Sequence, residues 1–236
     1  MSKSNIEGET NKEEIPEEFT KVIYDLTNDI LFTFPEYSKN MDADLHNIKE
    51  TRDDESVRNV YEHIKKVLPE RFFDILYKNE KMFTSEDVNT EFLPGIHFKD
   101  LWAADISEKT KEVLWKYLQL ILFTVIGKLN ADDSFGDTAK LFEAINEDEL
   151  NGKLEETLNN FQSMMDGEDP IIDVSGINMD QLPKPEQIQD HINGLLGGKL
   201  GKLASEIAEE TAEELNLDTG DATSVDDVFK KLFKKY

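Results

Sequence analysis

The stretch Val113–Gly127, VLWKYLQLILFTVIG, decides the fold. It is too long and too continuously apolar for a surface helix, which keeps one polar face. It is also too short for a membrane span of about 20 residues, and Lys116 and Gln119 interrupt it. A helix that is apolar nearly all round belongs at the centre of a bundle. Upstream, Asp105 or Ser107 supplies a cap, with Glu108 three residues after Asp105 as in a capping box. The spacing predicts one helix over about 107–129, with the rest of the chain wrapped round it.

The flanking sequence supplies the wrapping. Pro16 opens a helix in which Phe19, Val22, Ile23, Leu26 and Ile30 recur at helical spacing, with Glu17 and Glu18 in its first turn. TFPEYSKNMDADLHN reads as a loop. A helix from Ser56 carries Val57, Val60, Tyr61, Ile64 and Leu68 on one face, and Pro69 ends it. ERFFDILYKNEKMF is a dense packing element. TEFLPGIHFKDLW is irregular about a Pro94–Gly95 turn. NADDSFGDTAKLF reads as a turn entering a short helix. Asn146 with Glu149 marks a further capped helix. Strand signals are nearly absent, apart from one short extended segment at Ile171–Val174. The class is all-α: a helical bundle built round a central apolar helix, with a C-terminal helical appendage. The expected division is a disordered acidic tail at 1–15, a helical body at 16–165, a Pro/Gly linker at 166–184, and a C-terminal helical segment at 185–236 with helices at about 185–196, 199–215 and 224–235.

Composition narrows the function classes. The chain has 236 residues, 38% of them hydrophobic and 33% charged; 51 acidic against 26 basic residues give a formal charge of −25. Such a field repels nucleic acid and anionic lipid and favours a basic protein partner. There is no cysteine, so disulfides, thiolate metal sites and cysteine nucleophiles are excluded. The N-terminal MSKSNIEGETNKEE has no apolar core of a signal peptide, which argues against secretion.

The candidate chemistry is thin. The glycines of NGLLGGKLGK invite a phosphate-loop reading. With Gly198–Lys199 as the anchor, however, Asn193 stands at the first glycine and Leu200 at the hydroxyl position, so both motif ends fail. Helical angles instead place Leu196, Leu200, Leu203 and Ile207 on one stripe. Gly194, Gly197, Gly201, Ala204, Ala208 and Ala212 form a small-residue face beside it, which predicts close packing against another helix. His46, His63, His97 and His191 have no metal-ligand spacing. Calcium loops on Gly136 or Gly220 fail at Ala131, Phe135 and Phe142, and at Leu215. No catalytic motif is present, so the chain reads as non-enzymatic with no cofactor. An unrecognised enzyme would need a histidine such as His97 facing carboxylates. In DDVFKKLFKKY, Val225, Phe229, Leu232, Phe233 and Tyr236 share one face and Lys230, Lys231, Lys234 and Lys235 the other. That helix either packs on the body with its lysines toward the acidic surface, or contacts nucleic acid or membrane.

The strings PERFFDILYKNEKMF, NTEFLPGIHFKDLW, DISEKTKEVLWKYLQLILFTVIG, FGDTAKLFEAI and GKLGKLASEIAEETAEEL resemble an uncharacterised family of giant nucleocytoplasmic DNA viruses of the mimivirus and phycodnavirus type, over most of residues 60–236. Its members run on past the VFKKLF helix, which implies that this chain is a short or an incomplete member. The resemblance brings no catalytic residues. It implies a viral setting in host cytoplasm or viral factory, with the virion as a further location. The expected function is therefore an interaction or scaffold protein with a basic protein partner. Leu196, Leu200, Leu203, Ile207, Phe229, Leu232 and Phe233 are the expected contact surface. The alternative is an accessory factor that reaches nucleic acid or membrane through Lys230, Lys231, Lys234 and Lys235. Homo-oligomerisation is left open.

Overall fold

A computed structural model describes residues 14–39, 41–130, 133, 135–165 and 172–198. The described residues form an all-α structure; they contain no strand, and an isolated antiparallel bridge between Leu93 and Ile96 closes the Pro94–Gly95 turn, where Gly95 takes φ 75°. In chain order the helices are α1 (Glu17–Thr33), α2 (Ala43–Thr51), α3 (Asp54–Val67), α4 (Phe72–Leu76), α5 (Phe98–Ala103), α6 (Glu108–Ile126), α7 (Thr138–Ala144) and α8 (Glu147–Met165). A further helix covers 185–198.

The central element is α6. Every residue from Leu114 to Ile126 is buried, the polar Lys116, Gln119 and Thr124 included. Its cap is Ser107, whose hydroxyl accepts from the Thr110 N–H at 3.1 Å, so Asp105 has no part in it. Helix α1 lies along α6 and buries Phe19, Val22, Ile23, Leu26, Thr27 and Ile30, the face its spacing announces. Tyr117 ties the two together by donating to Asp29 Oδ2 at 2.5 Å. Helix α4 lies on another side of α6, where Gln119 Nε2 donates to the carbonyls of Ile75 (3.3 Å) and Leu76 (3.2 Å). Both carbonyls lie at the end of α4, where that of Ile75 also accepts from the Lys78 N–H at 3.3 Å. The start of α6 is sealed by aromatic rings: Phe83 stacks on Trp102 at 4.4 Å, and Trp102 meets Trp115 edge-on at 5.4 Å. Phe161 of α8 meets Phe123 edge-on at 6.2 Å.

The structure differs from the sequence expectation in three places. The expected loop around residue 43 contains α2, capped by Asp42 Oδ1 accepting from Asp44 N–H at 2.8 Å, with Leu45 and Ile48 buried. The irregular segment ending at Trp102 contains α5. The described part of the expected linker, 172–184, lies on the body as a strap: Ile172, Val174, Ile177 and Leu182 are buried in the main core, and no strand forms there. The helix at 185–198 continues that packing with Ile188 and Ile192, and His191 Nε2 sits 2.9 Å from the Leu129 carbonyl. Body, strap and helix 185–198 therefore share one core, because the apolar residues of 172–192 find α1 and α6 within reach.

The cap makes a direct test. Ser107→Ala should cost about 1 kcal/mol in urea unfolding. Asp105→Ala should stay within about 0.5 kcal/mol.

Candidate functional site

Sequence reasoning placed its candidate surface at the C-terminus. Of those residues only Leu196 lies in the described structure, half-buried against the core on helix 185–198. Leu200, Leu203, Ile207, Phe229, Leu232, Phe233 and the four lysines lie outside the described residues, as do the expected helices at 199–215 and 224–235. Of the small-residue face, Gly194 and Gly197 lie in the described structure: both are helical and exposed, and a Cβ built on either meets no neighbour within 4 Å; Gly201, Ala204, Ala208 and Ala212 lie outside the described residues. Gly194 and Gly197 contact no helix in the described structure. His97 is exposed and its Nε2 stands 3.9 Å from Glu91 Oε2, while the His63 ring bonds the Glu91 carbonyl at 2.6 Å. Glu91 and His97 flank the Pro94–Gly95 turn and do not line the groove described next.

The principal concavity is elsewhere. A groove of about 1110 Å³ runs between the N-terminal half of α1, the corner joining α2 to α3, and the turn at 173–176. Charged side chains line it: Glu14, Glu17, Lys21 and Asp25 from the α1 side, Arg52, Asp54 and Arg58 from the corner, Asp173 from the turn. Each is there for a local reason. Glu17 and Asp54 occupy the first turns of their helices, where the backbone dipole favours acid. Asp53 caps α3 by accepting from Ser56 N–H at 2.9 Å, and that bond keeps its carboxyl below the usual range. Arg52 ends α2 in the left-handed region, φ 53°, with its N–H on the Ile48 carbonyl; its guanidinium lies 4.2 Å over the Tyr24 ring. Lys21 pairs with Asp25 and with Asp173 (3.6 Å), so it clamps the strap onto α1. The Ser175 hydroxyl and N–H both donate to Asp173, and with Lys21 they hold that carboxyl below the ordinary value.

A second group of charges gathers round a buried lysine. Lys116 of α6 is only 6% exposed, with Nζ 3.7 Å from Glu112 Oε1 and 5.6 Å from the Phe161 ring centre. Lys78, held at φ 53°, donates to the same Glu112 oxygen at 2.6 Å. Burial lowers the Lys116 pKa, the neighbouring Lys78 lowers it further, and Glu112 opposes both. Tyr117, one residue on, has its phenol pushed far up by burial and then by its bond to Asp29. Glu112, Lys116 and Tyr117 are neighbours on the central helix, Lys78 reaches Glu112 from the turn after α4, and none of the four lines the groove. Among the described residues no cluster of three or more potential metal ligands occurs, and no helix is long and apolar enough to cross a membrane.

Sequence reasoning missed the groove because its walls come from residues 14–25, 52–58 and 173–176. The local signals were present as the caps Pro16 and Asp53, but nothing in the spacing joins them. Comparisons of the chain with protein families, with curated proteins and with solved structures find no match.

The buried lysine gives a pH-dependent expectation. With its folded pKa below the unfolded value near 10.4, the unfolded chain binds the extra proton in the interval between them. Stability contributed by this group therefore rises with pH across that interval. Lys116→Met should flatten that rise in urea unfolding measured from pH 7 to 10, and should be neutral or stabilising at pH 7 because it removes a desolvated charge.

Proposed function

We propose that the chain is a non-enzymatic interaction or scaffold protein of a large DNA virus, and that the groove between α1, the α2–α3 corner and the strap receives a basic segment of a protein partner. One observation carries the reading: the groove is wide, open and lined by five acids interleaved with three cations, within a chain of formal charge −25. A mixed-charge wall of this kind orients a polypeptide by charge register, and the surrounding field speeds its arrival. The excess of acids in the groove selects a basic occupant. Lys21 is already committed to Asp25 and Asp173, and Arg52 to the Tyr24 face, so Glu14, Glu17 and Asp54 supply the attraction. The viral setting rests on the sequence resemblance, and virion association follows from it as part of the same proposal.

The test is affinity capture from infected cells with the parent chain and with Glu17→Lys/Asp54→Lys. Both substitutions are at exposed first-turn positions, and far-UV circular dichroism checks that the fold is retained. The expected result is a basic partner recovered by the parent and reduced at least about tenfold by the double substitution, the equivalent of about 1.4 kcal/mol. Equal recovery by both chains, or absence of the chain from purified virions, would overturn the corresponding half of the proposal.

A further inference from the structure

The groove does not end at the turn of the strap. A second hollow of about 470 Å³ adjoins it round the N-terminus of α1, and Glu14, Ile15, Glu17 and Gly176 line both. A third, of about 130 Å³, adjoins the second, with Pro16, Glu18, Lys128 and Gln181 as common walls. The strap lines all three in chain order. Asp173, Ser175 and Gly176 border the groove, Gly176, Asn178 and Gln181 the second hollow, and Gln181, Leu182 and Pro183 the third. One furrow therefore follows the strap from the α2–α3 corner to the C-terminal end of α6. Gly176 keeps it in register: at φ 80° it passes so close to α1 that a Cβ there would stand 3.4 Å from Lys21 Cε.

The chemistry changes along the furrow. The groove and the second hollow are walled mainly by charged and polar side chains. The third is walled by Pro16, Phe123, Leu182 and Pro183, with Thr124 and Gly127 from the end of α6. Phe123 and Leu182 belong to the core, so this end of the furrow reaches down to it. The Thr124 hydroxyl already donates to the Ile121 carbonyl at 2.8 Å, so it offers an occupant no proton. Lys128 and Gln181 are exposed beside it. The volume approaches that of an apolar cavity of about 150 Å³, which accepts a benzene-sized group. It matches one leucine-sized side chain. Gly127 stands at its edge, where a Cβ would lie 3.6 Å from Pro183 Cγ.

We infer that the basic segment received by the groove is extended, follows the furrow round the N-terminus of α1, and carries a leucine-sized apolar side chain that seats among Pro16, Phe123, Leu182 and Pro183. This specificity rests on the groove being the partner site, and it states what the occupant carries besides charge. An acidic field steers many basic chains to the groove. A socket at one end selects those with an apolar residue at the right distance from the cations, as side-chain pockets do in other modes of peptide recognition. Along α1 the rise from Glu17 to Asp25 is about 12 Å, which an extended chain covers in about four residues. Glu18 lines both the second and the third hollow, so a cation next to the anchor meets a carboxylate.

Fluorescence anisotropy of the full chain with labelled nonapeptides of alternating lysine and glycine tests it. One glycine at a time is replaced by leucine, and each peptide spans about 30 Å when extended. Leucine at one of these positions should tighten binding at least about tenfold over the leucine-free peptide. Gly127→Leu should remove that preference and leave the affinity for the leucine-free peptide unchanged. Its φ of −73° suits any residue, and circular dichroism with an unchanged urea midpoint confirms the fold. Photo-leucine at the favoured position should label residues 123–128 or 181–183 of the parent chain. Equal binding of all the peptides, a preference that survives Gly127→Leu, or labelling elsewhere would sink the inference and leave the groove reading in place. Failure of every basic peptide to bind, or binding unaffected by Glu17→Lys/Asp54→Lys, would sink the groove reading and the inference with it.

Discussion

One constraint organises this molecule: from Leu114 to Ile126 the central helix has no side that tolerates water. A helix buried on one stripe needs one neighbour, whereas a helix buried all round needs cover on every side. Helix α1 supplies the longest contact, α4 and α8 occupy other sides, the Phe83–Trp102–Trp115 rings close the N-terminal end, and the strap crosses near the C-terminal end, where Pro183 approaches Gly127. Between the long helices α1, α3 and α8 the cover is completed by short elements such as α2, α4, α5 and α7. Burying a leucine or phenylalanine contributes about 1.5–3 kcal/mol, so the sum over α6 outweighs the poor local propensity of the pieces that cover it.

The polar residues of α6 show how a fully enclosed helix manages unavoidable polarity. Gln119 bonds the last two carbonyls of α4, that of Leu76 and that of Ile75, the latter shared with the Lys78 N–H. Thr124 returns its hydroxyl to the Ile121 carbonyl at 2.8 Å. Lys116 has the harder task, since its charge has left water and its compensation is one shared carboxylate. Tyr117 spends its hydroxyl on Asp29 and so fixes the rotational setting of α1 against α6. In the sequence Lys116 and Gln119 looked like interruptions of an apolar run. In the fold they connect the central helix to its neighbours.

What could be read from the sequence follows the strength of local pattern. Helices α1, α3, α6 and α8 declare themselves because each repeats apolar residues through several turns and three of them have side-chain caps at Ser107, Asp53 and Asn146. Helix α2 escaped because two apolar residues, Leu45 and Ile48, are too few to establish a period, although Asp42 was a usable start signal. The strap escaped for a different reason. Proline and glycine between 167 and 185 do prevent regular structure, but irregular backbone can still bury Ile172, Val174, Ile177 and Leu182. Composition predicts the absence of a helix there and says nothing of where the side chains go. The groove escaped because its walls are far apart in the chain, 152 positions across the Lys21–Asp173 clamp, and no local pattern joins them.

That clamp has a consequence for how the protein is made. Ile172, Val174, Ile177, Leu182, Ile188 and Ile192 complete the cover of a core whose central helix was synthesised some fifty residues earlier. At about 5–20 residues per second of translation, the flank of α1 and α6 that they seal stays wet for several seconds. During that interval the most apolar helix in the chain lacks part of its shield, and the nascent protein presents the same surface that a chaperone or a neighbouring nascent chain would grip. The strap acts as the closing stitch of synthesis, and its timing, more than its energy, sets how long the unfinished molecule is exposed to misassembly.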